Sequence, residues 1–147
     1  MRLSMSRNEE IWRSIPSQPE LLASSFGRVL RRPFKRSMPN GSERWYRSQP
    51  TYGYRAAISG LAGFRMILRV NGLGRTFKIA RLVCEAFHGP PPFELAVVMH
   101  VDDDPANNRP DNLKWATQKE NLNAPQFIAY CKSRTGDNSP TVKGRRP

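Results

Sequence analysis

The chain has 147 residues and carries 24 Lys and Arg against 12 Asp and Glu, a net charge of +12, and only 38% of it is hydrophobic. That length suits one ordinary domain, or two small modules joined by a linker, with a modest core. No uninterrupted apolar run approaches the ~18 residues of a membrane span, MRLSMSRNEEIW lacks the apolar stretch of a secretory signal, and Cys84 and Cys131 cannot make a disulfide framework or a finger; the expectation is a cytoplasmic protein.

A charge balance this basic implies a polyanionic partner, because each cation placed near a phosphate releases condensed counterions. Residues 1–55 hold 11 basic and 4 acidic side chains, whereas residues 99–125 reverse the sign with 3 basic against 5 acidic. An acidic island in a basic chain places a cation site inside a phosphate-binding surface, the combination that metal-assisted phosphodiester chemistry needs.

In chain order, EEIWRSIPSQPELLASSFGRVLRRP (9–33) breaks short apolar clusters at Pro16, Pro19 and Gly27 and reads as a compact strand-and-turn module. Residues 33–53 mix Pro, Ser, Arg and Gly with few aliphatics and read as a linker or long loop. YRAAIS and FRMILRV read as strands, with Phe64, Met66, Leu68 and Val70 alternating toward one face. Asn71-Gly72 is a hairpin signal, since both residues tolerate positive φ, and RTFKIA is the returning strand. RLVCEAFHG puts Leu82, Val83, Ala86 and Phe87 on one helical face before Gly89 and three prolines stop it.

ELAVVMHV is a short apolar strand, DDDPANNRPD a polar loop, and NLKWAT a second strand. Thr117 and Glu120 have capping-box spacing, so a helix begins after Thr117. The result is a ββα unit in an α+β chain. The tail SRTGDNSPTVKGRRP lacks apolar periodicity and reads as a flexible basic arm.

VVMHVDDDPANNRPDNLKWATQKEN (97–121) resembles the signature of HNH homing endonucleases of the bacteriophage and mobile-intron type, and ARLVCEAFHGPPP resembles the stretch before it. Residues 9–32, through Glu10, Trp12, Ile15, Pro16, Gly27, Arg28 and Val29, resemble the modular DNA-binding motif that accompanies such nucleases. The resemblance implies an α+β architecture: an N-terminal DNA-binding module and linker over 1–53, an HNH ββα-metal nuclease domain over 54–125, and a basic tail over 126–147. It also implies double-stranded DNA as partner, Mg²⁺ or Mn²⁺ as cofactor with no small-molecule cofactor, and a bacterial-host cytoplasm if the chain is phage-encoded.

The residue chemistry stands beside that resemblance. His100 ends an apolar strand beside the acidic loop, and a neutral imidazole there can take a proton from water; alone it reads more readily as a core histidine bound to a backbone carbonyl, and the surrounding pattern reverses that. The resemblance gives Asn112 the task of holding the loop and orienting the base, a supporting role typical of metal sites. Asn107 and Asn108 read as loop formers through Asx turns. Asn121 falls in the first turn of the capped helix, where an amide oxygen suits Mg²⁺, and Asp102 is a candidate second ligand.

Two positions depart from the family. Met99, where a metal-ligating Asp, Asn or His is usual, offers a thioether poorly matched to a hard cation, and Pro125 stands where one branch has a further ligand. Cys84 and His88, four apart, are better read as packing and helix-end residues than as zinc ligands. Arg28, Arg31, Arg32, Lys35, Arg36, Arg65 and Arg69 are the candidate DNA contacts. The expected function is metal-dependent DNA phosphodiester hydrolysis, with nicking of one strand among its outcomes; the alternative is a DNA-binding protein that keeps the fold with impaired catalysis.

Overall fold

The computed structural model describes residues 9–55, 63–70, 72–123, 128, 129 and 132. Strands β1 (Trp12–Ile15), β2 (Gln18–Ser24) and β3 (Val29–Arg31) form an antiparallel sheet in the order β1-β2-β3. This is the strand-and-turn module expected from the punctuation by Pro16 and Gly27. Strands β4 (Phe34–Ser37) and β5 (Glu43–Tyr46) pair as a separate hairpin.

That hairpin corrects the reading of residues 33–53 as linker or loop. Its apolar residues meet each other across the ribbon: Phe34 stacks on Tyr46 with ring centroids 5.2 Å apart, and Lys35 lies over Trp45 at 5.3 Å. The turn closes through Asn40, whose Oδ1 accepts from the Ser42 amide at 3.0 Å, with Gly41 at φ +85°. Few aliphatics are needed when stacked rings and cations hold the two strands together.

Strands β6 (Tyr54–Arg55), β7 (Phe64–Val70) and β8 (Leu73–Lys78) make a third antiparallel group. Val70 pairs with Leu73, and Gly72 between them has φ +79°; residues 56–59 of the expected first strand, and Asn71, lie outside the described residues. Helix α1 (Ile79–His88) starts two residues before the periodicity suggested and ends on Gly89 at φ +85°.

The face that α1 buries is the centre of the fold. Ile79, Leu82, Val83 and Cys84 pack with Ile15, Leu21, Ala23 and Val29 of the N-terminal sheet, Leu68 of β7, and Leu113 beyond the acidic loop. Each fully buried aliphatic side chain contributes about 1.5–3 kcal/mol of transfer free energy, so one shared core ties the N-terminal sheet to the rest. Phe64 and Met66 flank it, as their alternation with Leu68 implies.

The last unit is β9 (Val97–His100), β10 (Leu113–Ala116) and α2 (Gln118–Leu122). β9 and β10 are antiparallel with Leu113 opposite His100 and Lys114 opposite Met99. A 3-10 turn, Pro110–Asn112, leads into β10. The Thr117 side chain accepts from the Glu120 amide and the Glu120 carboxylate accepts from the Thr117 amide, the expected reciprocal cap. The fold is α+β with a ββα unit at its end, and among the described residues no helix is long and apolar enough to cross a membrane.

Candidate active site

His100 is the last residue of β9, and its ring is half-buried. Its Nε2 lies 2.8 Å from the side-chain oxygen of Asn108. A carbonyl oxygen only accepts, so Nε2 carries the hydrogen, and in the neutral imidazole the lone pair is then on Nδ1. Among the described residues the ring's hydrogen-bond partner is Asn108, 5% exposed. No sequence signal singles out Asn108 among the asparagines of the loop, because its partner lies eight residues back on a strand.

Asn112 bonds within the acidic loop. Its Oδ1 accepts from the Asp102 amide at 3.0 Å, and its Nδ2 donates to Asp102 Oδ1 at 2.7 Å and to the Asn107 carbonyl at 2.9 Å. The Asn112 carbonyl also accepts from Val101 N at 2.8 Å. At 8% exposure it is buried, placed at the end of the 3-10 turn just before β10. It pins both ends of the acidic loop.

Asp102 is the loop's internal acceptor. Besides Asn112, its carboxylate takes the Asp104 amide at 2.9 Å and Asn107 Nδ2 at 2.8 Å. The Asn107 amide bond, with the Asp104 and Asn112 bonds behind it, holds the Asp102 carboxyl below the usual carboxylate range. A carboxylate offers about four lone-pair sites, and three are taken. Asp104 Oδ1 accepts from Ala106 N at 2.9 Å in a further Asx turn.

Asn121 lies in α2, which packs against β9, and is half-buried. Its amide side chain forms no hydrogen bond to another described residue. Met99 is half-buried beside His100, and Pro125 lies outside the described residues. Among the described residues there is no cluster of three or more His, Cys, Asp or Glu able to hold a metal. A closed cage of the zinc kind is thus absent from that set.

The helix before the site braces it. His88 Nε2 is 2.6 Å from the Pro110 carbonyl, Trp115 Nε1 donates to the Gly89 carbonyl at 3.1 Å, and Arg81 Nη1 donates to the Ala96 carbonyl at 3.0 Å. Cys84 is fully buried, and burial pushes its thiol up to about 12. Cys84 and His88 are packing and helix-end residues.

The seven candidate DNA contacts divide. Arg28 binds the Glu10 carboxylate bidentately through Nε and Nη2, with Nε to Oε1 at 2.8 Å, and lies over the Trp12 and Tyr52 rings. Its bonding is that of a structural cation. Arg32 donates to the Pro19 carbonyl and Ser14 Oγ, Arg31 to the Arg69 carbonyl, and Lys35 to Glu43. These four contacts are at the surface. Arg36 and Arg69 are exposed, and Arg65 is half-exposed on the outward-facing side of β7, directly opposite Lys78 on β8. Like charges placed opposite each other destabilise a sheet, so that face gains from a bound polyanion. Lys78 carried no sequence signal; the register places it there.

Residues 78–123 match the HNH endonuclease family model. Among solved structures, the chain is similar to one described as "DNA binding and cleavage by the HNH homing endonuclease I-HmuI", with a TM-score of 0.53 and 26% identity over 84% of this chain. Residues 78–123 thus carry an HNH endonuclease match in a chain whose fold is similar to that of a homing endonuclease. The chain spans 66% of the length of that homing endonuclease. A search of curated proteins finds no match. The matched segment begins at the cap of α1 and runs through α2, so it contains His100, Asn108, Asn112 and Asn121 together.

Proposed function

We propose that this protein is a DNA endonuclease of the HNH type that hydrolyses a phosphodiester bond with the help of Mg²⁺ or Mn²⁺. The observation that carries the reading is the His100–Asn108 bond. It presents an imidazole with its lone pair on Nδ1 at the end of a ββα unit, beside an acidic loop in a basic chain. A histidine so held takes a proton from water through Nδ1 as general base. Asn112 keeps the loop in register with β9 by tying Asp102 to the start of β10. Asn121 and Asp102 would hold the ion, which when bound supplies neutralisation of charge developing on the phosphate and the leaving oxygen. Arg65, Arg69 and Arg36, with Arg31, Arg32 and Lys35 behind their surface contacts, give the phosphate-contacting set, and the homing endonuclease it resembles is itself described as binding and cleaving DNA.

The test is a supercoiled-plasmid assay with the full chain in Mg²⁺ or Mn²⁺ and in EDTA. Conversion to nicked or linear DNA only with the metal supports the reading. A second reading is favoured by one observation: the thioether of Met99 stands beside the base where the family usually has a ligand. A chain that shifts DNA in a gel yet leaves plasmid intact under every metal would be a DNA-binding protein that keeps the fold without the chemistry.

A further inference from the structure

The turn between β2 and β3 is fixed before it meets anything else. Ser24, fully buried, accepts on Oγ from Phe26 N at 3.2 Å and Arg28 N at 3.1 Å. The backbone closes the same turn, with Gly27 N to Ser24 O at 3.0 Å and Ser24 N to Arg28 O at 2.8 Å. Gly27 has φ +86°, where an L side chain is strained. The space above its Cα is already filled. A Cβ at position 27 would sit 2.8 Å from the carbonyl oxygen of Asn108, 2.9 Å from its carbonyl carbon and 3.2 Å from its Cβ. One residue further on, the Arg109 guanidinium lies over the Phe26 ring at 5.2 Å. The N-terminal sheet thus touches the acidic loop at the residue whose side chain holds His100.

We infer that the 24–28 turn is a positioning element of the nuclease site: Gly27 seats the backbone of Asn108, and Asn108 fixes the ring and tautomer of His100. This deepens the nuclease reading and rests on it. Gly27 and Phe26 touch no reacting atom and act through Asn108. If Asn108 is displaced, the imidazole loses its partner at Nε2, turns about its own bond to Cβ, and populates the other tautomer, whose Nδ1 carries a hydrogen and cannot take a proton. Misplacement by about 1 Å at such a site costs on the order of 10²-fold in rate. The N-terminal sheet then serves the base as well as any DNA it contacts.

The experiment uses the full chain and three variants, Gly27→Ala, Asn108→Ala and the double. Gly27→Ala is expected to lower kcat for plasmid nicking by about 10- to 100-fold while KM for DNA stays within about twofold. Nitrogen NMR of the histidine rings, with only two histidines to assign, is expected to move His100 from the Nε2–H tautomer to a mixture. Asn108→Ala reproduces both effects with the turn intact, and adding Gly27→Ala to it changes neither further. A folded Gly27→Ala chain with the wild-type His100 tautomer, or rate effects that multiply in the double variant, overturns the proposal. Should Gly27→Ala fail to fold, Phe26→Ala, which removes the ring beneath Arg109, takes its place in the same cycle. Wild-type chain that never nicks DNA would sink the nuclease reading alone, because the tautomer shift decides this inference without activity.

Discussion

Glu85 of α1 accepts two hydrogen bonds from Ser17, one from the amide at 2.7 Å and one from the hydroxyl at 2.8 Å, and so clips the β1–β2 turn to the helix. At 6% exposure the carboxylate is buried on the otherwise apolar side of α1. Glu85→Ala leaves the Ser17 amide without its acceptor, a loss of about 1–3 kcal/mol. At this chain length that lowers Tm by roughly 2–4 °C for each kcal/mol. Glu85→Gln keeps one acceptor and should fall between the two in a thermal melt. Equal Tm for all three chains would show that the clip contributes nothing.

The same principle of local bonding explains what was legible beforehand. α1 and the β7–β8 hairpin were readable because their apolar residues recur with the helix and strand periods and face one core, and the α2 cap because Thr117 and Glu120 have a fixed spacing. The β4–β5 hairpin was not, since Phe34, Trp45 and Tyr46 bind each other and nearby cations instead of the core, leaving no buried stripe. His100 and Asn112 stood out by position in the ββα motif. Asn108 did not, because its role depends on how the Asx-turned loop folds back on β9. Nor did Gly27, whose contact with Asn108 links residues 81 positions apart in sequence.

Glu10 gives a pH signature. The Arg28 guanidinium beside it, aided by the Ser24 hydroxyl and opposed by burial, holds its carboxyl below the ordinary value. A carboxyl depressed in the folded state adds stability above its unfolded value of about 4.3 and loses it as pH falls through the lower folded value. The Tm gap between wild type and Glu10→Gln should therefore be widest near neutrality and close as pH drops below about 4. A gap that widens in acid would reverse the assignment.

His100→Ala is expected to remove nicking by about 10²- to 10⁴-fold, the range for losing a general base, with DNA affinity nearly unchanged. Asn112→Ala should differ in kind. It cuts three hydrogen bonds in the loop, so activity and Tm fall together. Wild-type nicking by His100→Ala in a plasmid time course would show that the base lies elsewhere.

Asn121→Ala should raise the Mg²⁺ concentration needed for half-maximal activity, because it removes an oxygen donor from a site with few of them. Met99→Asp should lower that concentration by adding a hard ligand beside His100. Titration calorimetry with Mn²⁺ checks both in the absence of DNA. Unchanged affinity in the two variants would mean that any ion is held by other residues.

The last prediction separates structural cations from phosphate contacts. Each phosphate neutralised on duplex DNA adds about 0.9 to the slope of log K against log salt. Arg65 and Lys78 face each other across β7 and β8, with Arg69 further along the same outward face, and mutual repulsion leaves that patch better satisfied by DNA than by itself. Replacing all three with Ala should make the slope shallower by roughly two to three. Tm should hold or rise as the repulsion disappears. Arg28→Ala should do the reverse, lowering Tm through loss of Glu10 and its ring contacts while leaving the slope alone. The basic tail from 133 onward lies outside the described residues, and deleting residues 133–147 should lower the slope by about one to three if it tracks the backbone. Fluorescence anisotropy across a salt series measures every one of these slopes. A triple variant with the wild-type slope would place the DNA on another face of the protein.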